Sequence, residues 1–248
     1  MSISNKTVII TGAAGGLGSA LVKAYLELDY NVVANGLNIT NLEVMAARLE
    51  NPNNLLLIQG DIGKPETSKK LFDKAIQHFN KVDILINNAG IFIAKPTTDY
   101  TEEEINTIIN TNLKGFIYPS QAAANHMINS GSGHIINITA SIAIQPNAKL
   151  PALLPVLVKG GINQATRALA LELSPSNIQV NAIAPGVIDT PLHTINNRQD
   201  KESLAKMSPM EKIGNPQDIV DAALYLTKSK FVTGTTIAVD GGASAGVW

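Results

Sequence analysis

Short runs of β-branched and aliphatic residues alternate with longer stretches of helical pattern from one end of this chain to the other, and that alternation leaves few folds open. The runs are Thr7 to Thr11, Asn31 to Asn35, Leu55 to Gln59, Ile84 to Asn87, His134 to Thr139, Gln179 to Ile183 and Thr236 to Val239. Strands separated by helical crossovers run parallel. Seven of them predict an α/β fold, a doubly wound parallel sheet with helices on both faces. Its ligands belong beyond the carboxyl ends of the strands. At 248 residues the chain has room for one such domain with a sizeable core. Helix starts agree with the pattern. Thr101 with Glu104 reads as a capping box, and Asn215, Pro216 and Asp218 form an expected N-terminus. One segment breaks the rhythm: residues 189–213 are polar, flanked by prolines and too long for an ordinary crossover connection, and they read as a lid over a site, the alternative being a disordered insertion.

Composition excludes several function classes. A net charge of -1 with 16% charged residues offers no basic stripe for phosphate backbones, so nucleic acid is not an expected partner. With no cysteine there are no disulfides, no thiol catalysis and no sulfur-ligated metal, and a cytoplasmic location is the expectation. Val8 to Ile10 is too short for a signal sequence, and Leu150 to Val158 contains two prolines and is far shorter than a membrane span. His78, His126 and His134 stand at no ligand spacing, so no metal is expected.

Directly after the first strand comes Thr11-Gly12-Ala13-Ala14-Gly15-Gly16-Leu17-Gly18, opening a helix that runs to about Leu28. Glycines here allow a tight turn and let a pyrophosphate approach backbone N–H groups at a helix N-terminus, where the dipole favours anions. The spacing of Thr11, Gly12, Gly16 and Gly18 resembles the TGxxxGxG of the short-chain dehydrogenase/reductase family. The resemblance covers essentially the whole chain: Asn87-Asn88-Ala89-Gly90 matches the family's NNAG, and Val239-Asp240-Gly241-Gly242 is similar to its closing strand. It implies a Rossmann-type dinucleotide-binding domain spanning residues 1–248. It further implies that Asn88, Ala89 and Gly90 line the ribose side and that Asp61-Ile62 receives the adenine. Pro185, Gly186, Val187, Ile188 and Thr190 would face the nicotinamide. Homo-oligomers, usually tetramers, pair through stretches like Ile105 to Ile128 and Gly160 to Leu173.

The end of the second strand bears on cofactor choice. NAD-preferring relatives place an acid there for the ribose 2′-OH, and NADP-preferring ones an Arg for the 2′-phosphate. Here the two positions are Gly36 and Leu37, and Gly15 stands where a basic residue often accompanies NADP. A 2′-phosphate with no cation nearby is poorly compensated, so the expectation is NAD(P) with NAD weakly preferred.

The catalytic set that the family implies is Asn, Ser, Tyr and Lys. Asn112, Ser141 and Lys159 match three of them, the Lys also as a binder of the nicotinamide ribose. The Tyr position, four residues before Lys159, is Pro155, and no Tyr occurs between Asn137 and Lys159. A positioned general acid contributes about 10² to 10⁴ in rate, or roughly 3 to 5 kcal/mol, so ordinary carbonyl reduction should be slowed. Pro155 is harmless to the fold in a first helical turn. Val156, Leu157 and Val158 make the pocket wall more apolar, which suits a small-molecule substrate of apolar character. His193, at the start of the lid, is the first substitute acid to consider, and Lys149 the second. Three readings follow: an oxidoreductase with impaired or rewired proton donation, a redox-silent cofactor-binding or regulatory protein, and non-redox chemistry in the retained pocket.

Overall fold

The computed structural model describes residues 5–190 and 201–246. Seven strands form one sheet: β1 (Thr7–Ile10), β2 (Asn31–Gly36), β3 (Leu55–Gln59), β4 (Ile84–Asn87), β5 (Gly133–Ile138), β6 (Ile178–Pro185) and β7 (Thr236–Val239). All pairings are parallel and the order is β3-β2-β1-β4-β5-β6-β7. The chain winds outward from β1 to β3, then returns to the middle and winds the other way from β4. The connections leaving β1 and β4 therefore diverge, and a crevice opens at the carboxyl ends of those two neighbours.

The core follows from the two-residue period of the strands. Val8 and Ile10, Val32 and Ala34, and Ile84 and Ile86 face one side. Ile9, Val33 and Leu85 between them face the other. The first side is covered by α1 (Gly16–Glu27), α2 (Ile39–Arg48) and α8 (Pro216–Lys228), through Leu21, Tyr25, Leu42, Val220 and Leu226. The second is covered by α3 (Pro65–Phe79), α5 (Gly115–Ser130) and α6 (Leu153–Leu173), through Leu71, Phe72, Met127 and Leu173. Strands buried on both faces must be apolar at every position, which is why these read as continuous aliphatic runs.

The capping box forms as its spacing predicts: Thr101 N donates to Glu104 Oε2 at 2.9 Å and Glu104 N to Thr101 Oγ1 at 3.2 Å, opening α4 (Glu102–Ile108). Asn215 N donates to Asp218 Oδ2 at 2.7 Å at the start of α8. Strand ends shift by a residue or two. β1 stops at Ile10 because Thr11 turns its hydroxyl to the backbone beyond β4, and β6 runs on to Pro185.

The two ends of the 189–213 segment are clamped together. Asp189 N donates to Gly214 O at 2.8 Å, Gly214 N to Val187 O at 2.9 Å, and Lys201 pairs with Asp189 at 2.8 Å. A short helix, α7 (Lys201–Ala205), follows, and Ser208 is buried against the turn at Gly241. Residues 191–200, including the candidate acid His193, lie outside the described residues. Among the described residues no helix is long and apolar enough to cross a membrane.

Candidate active site

The first element of the site is built by two glycines for which no other residue would do. Gly12 has φ +63, and a Cβ on it would lie 2.8 Å from Ala89 Cα; a Cβ on Gly18 would lie 2.2 Å from Gly12 O. The turn is thereby drawn against the end of β4 and closed back on its own helix. Gly16 begins α1, Leu17 packs on the core, and the first turn of α1 has neither a side-chain cap nor an acidic residue. Its N–H groups thus remain open to an anion.

Asn88 and Thr11 lock this turn to β4. Thr11 Oγ1 accepts from Asn88 N at 3.1 Å and Ala89 N at 3.0 Å, while Asn88 Nδ2 donates to Thr11 O at 2.9 Å and Gly12 O at 3.2 Å. Asn87 points into the protein. Its Nδ2 donates to Ser120 Oγ and to Asn137 Oδ1, each at 2.9 Å, and Asn137 Nδ2 continues the chain to Thr166 on α6 at 2.9 Å. The two asparagines of one motif therefore serve different ends: Asn88 shapes the turn, and Asn87 ties the sheet to α6.

Asn112 sits in a single π-helical turn, Ile109–Lys114, between α4 and α5. A wider turn of this kind interrupts the regular ladder and re-aims a side chain. Its Oδ1 accepts from Ile91 N at 2.8 Å and its Nδ2 donates to Ile91 O at 2.9 Å, so the amide mimics a strand partner and pins the segment that follows Gly90. Gly90 leaves little room: a Cβ there would lie 3.3 Å from both Asn112 Oδ1 and Lys159 Nζ, close enough that one of them would have to give by a few tenths of an ångström.

Lys159 rises from α6 and donates from Nζ to Ile138 O, at the end of β5, at 2.8 Å. Burial pushes its ammonium down to about 8, with no charged neighbour contributing. A cavity of about 10 Å³, room for about one water molecule, adjoins it between Asn87, Asn112, Asn137 and Ile162. Asn87 Oδ1, on its wall, has no hydrogen-bond partner. Pro155, buried, stands one helical turn before Lys159 and third in α6, where its missing N–H costs no hydrogen bond; Val156 N bonds to Ala152 O at 2.9 Å just after it. Ser141 opens a 3₁₀ turn after β5 and is buried, and its Oγ has no partner among the described residues. The five tyrosines are engaged elsewhere or exposed. Tyr25 meets Thr227 and Tyr30, Tyr100 donates to Ile93 O, Tyr118 on α5 lines the groove facing α3, and Tyr225 is exposed on α8.

The remaining predicted positions divide between rim and core. Asp61 is exposed, and its Oδ1 accepts from Gly63 N at 2.9 Å. Ile62 is buried and packs against Gly115. Gly186 is pressed against Asp240, where a Cβ would come within 2.8 Å of Cα. Val187 O is taken by Gly214 N, Ile188 is core, and Pro185 and Thr190 are half-buried. Gly36 faces Leu42, and Leu37 is 73% exposed. Lys149 is an exposed loop residue. Sequence reasoning missed the backbone oxygen of Ile138, both backbone groups of Ile91, and Ser120 and Thr166. Backbone partners leave no residue-type signal, and short hydroxyl side chains mean nothing until the helices are placed.

Open N–H groups at α1, a close-approach turn and a glycine kept bare above an ammonium fit a dinucleotide. A model of a family described as Enoyl-(Acyl carrier protein) reductase matches residues 12–244. The chain belongs to the short-chain dehydrogenase/reductase family. That is a family of NAD(P)-dependent oxidoreductases. The chain is 34% identical to 3beta-hydroxysteroid dehydrogenase 1 of Eggerthella lenta, over 97% of this chain and 94% of the relative. Among solved structures it is similar to ElxO with NADP bound, with TM-score 0.90 and 26% identity over 98% of this chain and all 100% of that one. It is likewise similar to the 3-ketoacyl-(acyl-carrier-protein) reductase of Brucella melitensis complexed with NADH, with TM-score 0.88 and 29% identity over 98% and 100% of the two chains.

Proposed function

We propose that this short-chain dehydrogenase/reductase interconverts a carbonyl and an alcohol with altered proton donation, because Pro155 stands where relatives carry the acidic Tyr. The observation that carries the reading is the pairing of an intact cradle with a helix position that has no polar group: Gly12 and Gly18 are bare where a Cβ would clash, yet one turn before Lys159 there is only a proline ring. A bound nicotinamide supplies or accepts the hydride. The chain's own residues do the rest. The α1 N-terminus would hold the pyrophosphate, Asp61 would meet the adenine, Lys159 would hold the ribose, and Ser141 Oγ would grip the substrate oxygen. Asn112 keeps the Ile91 backbone in line beside them.

The substrate reading is an apolar small molecule. Ile91 and Ile93 after β4 pack with Val158 of α6, and Ile142, Ile144 and Val156 are the aliphatic neighbours in the chain of Ser141 and Pro155. The nearby ammonium of Lys95 is neutralised by Glu104 at 2.7 Å. Segment 189–213 serves as the lid. NAD binds at least as well as NADP, since Gly36 and the exposed Leu37 offer a 2′-phosphate no cation. A homotetramer is supported by the exposed apolar residues Ile117 and Ile128 on α5 and Leu157 and Leu171 on α6. We place it in the cytoplasm.

The test is turnover of reduced cofactor with a panel of small apolar ketones and diketones, beside calorimetric titration with NAD and NADP. Binding with slow turnover is the expected result. Tenfold tighter NADP binding would overturn the cofactor preference. Binding without any turnover would favour the second reading that Pro155 invites, a redox-silent cofactor-binding protein.

A further inference from the structure

Reduction of a carbonyl adds hydride to carbon and a proton to oxygen, and the proton needs a source. Three groups near the cleft are poorly placed to give it. Asn112 spends both amide atoms on Ile91, Tyr100 donates to Ile93 O, and Asp189 is paired with Lys201. Lys159 is different. An ammonium carries three donors; the hydrogen bond to Ile138 O uses one, and the ribose of a bound cofactor would take another, which leaves one. Gly90 is exposed and bare, and a Cβ there would lie 3.3 Å from Nζ, so the ammonium lies just beneath backbone that solvent reaches. On its own helix face, one turn earlier, Pro155 offers no group to stand between Nζ and the cleft.

We propose that Lys159 is itself the proton source of this site, acting through one water molecule in the space that a phenol would fill. This rests on the reductase reading above. An N–H bond of the ammonium breaks as an O–H bond of the water forms, and the water's other proton passes to the substrate oxygen. When bound, a reduced nicotinamide would supply the hydride that reduces the carbonyl carbon and would itself be oxidised. Lys159 is left as a neutral amine and regains a proton from bulk water. Its chemistry suits the task, since burial brings the ammonium to about 8, near the pH at which a general acid works best. Besides Lys159 itself, no residue lining the adjoining cavity is charged. The titratable groups on the elements around it are Glu102, Glu103 and Glu104 on α4, Lys114 at the end of the π turn, Tyr118 and His126 on α5, His134 at the amino end of β5, and Arg167 and Glu172 further along α6 itself.

The experiment has two arms. In cofactor-free protein carrying ¹⁵N-labelled lysine, the resonance lost in Lys159→Arg is titrated by NMR, and a midpoint near 8 is expected. In the holoenzyme, kcat/KM for reduction of a small diketone should fall about tenfold per pH unit above that midpoint and show a solvent isotope effect. Pro155→Tyr should abolish the coincidence of the two. A midpoint above about 10, or a native rate with no break near the NMR midpoint, would overturn the proposal. If the native protein is silent and Pro155→Tyr is active, the reductase reading stands and Lys159 is not the source. If neither turns over any carbonyl, the reductase reading itself fails and takes the proposal with it.

Discussion

Asn112 holds both backbone polar groups of Ile91, accepting from its N–H at 2.8 Å and donating to its carbonyl at 2.9 Å. A buried asparagine in a π turn thus acts as one more strand partner, extending order past the end of β4. Asn112→Ala strands an N–H and a carbonyl in a half-buried place. It should cost about 1 to 3 kcal/mol, read as a lower urea midpoint, and weaken cofactor binding. Asn112→Asp keeps the acceptor but turns a second oxygen toward the Ile91 carbonyl and buries a charge, so it should not restore the loss. Equal stability of Asn112→Ala and the native protein would show the pairing to be incidental.

Pro155→Tyr should fold, because position 155 lies in the first turn of α6 where no intrahelical N–H bond is at stake. The phenol would stand one turn before Lys159 on the same face and should raise reduction of a generic diketone by at least tenfold. A high native rate abolished by His193→Ala would instead point to His193 as the acid.

Gly12→Ala meets two penalties at once, a positive φ and a 2.8 Å contact with Ala89 Cα. The expected loss is about 1 to 3 kcal/mol of stability, with cofactor affinity falling by more than the fold does. Calorimetry at a temperature where the variant is still folded separates the two effects.

Leu37→Arg should shift preference toward NADP by at least tenfold, since residue 37 is exposed and can carry the guanidinium without disturbing the core. Titrations of the variant with both cofactors check it; an unchanged ratio would mean that the 2′ position lies elsewhere.

Stability should fall in mild acid through His134. Burial, with a smaller push from Lys6, holds its imidazole down to about 4, and Asn181 Nδ2 lies 3.0 Å from its Nε2. The folded value lies below the unfolded one of about 6.5, so between the two the unfolded chain binds more protons. The contribution is complete above about pH 6.5 and is lost as pH drops toward about 4, at most about 3 kcal/mol. His126, lowered chiefly by burial, acts in the same direction. Urea midpoints that stay flat from about pH 7 to about 4 would contradict this.

The sequence by itself determined the layers, the parallel sheet and the place of the site. Apolar runs buried on both faces and helical periods between them are local signals, and Gly12 and Gly18 are glycines for steric reasons that act within a few residues or at one close neighbour. It also settled that Pro155 precedes Lys159 by one turn, since helix spacing needs no coordinates. What the tertiary structure alone decided were contacts between residues far apart in the chain. Asn112 meets Ile91 across 21 residues, Asn87 reaches Ser120 and Asn137, and Lys159 reaches Ile138 O. Ile62 and Ile188, motif residues by spacing, are core by position. The physical reason is that a side chain's chemistry is written in its type, whereas its partner, its burial and so its proton affinity are set by whatever the fold packs against it. For Lys159 that is a backbone oxygen and a bare glycine, neither of which carries a side-chain signal.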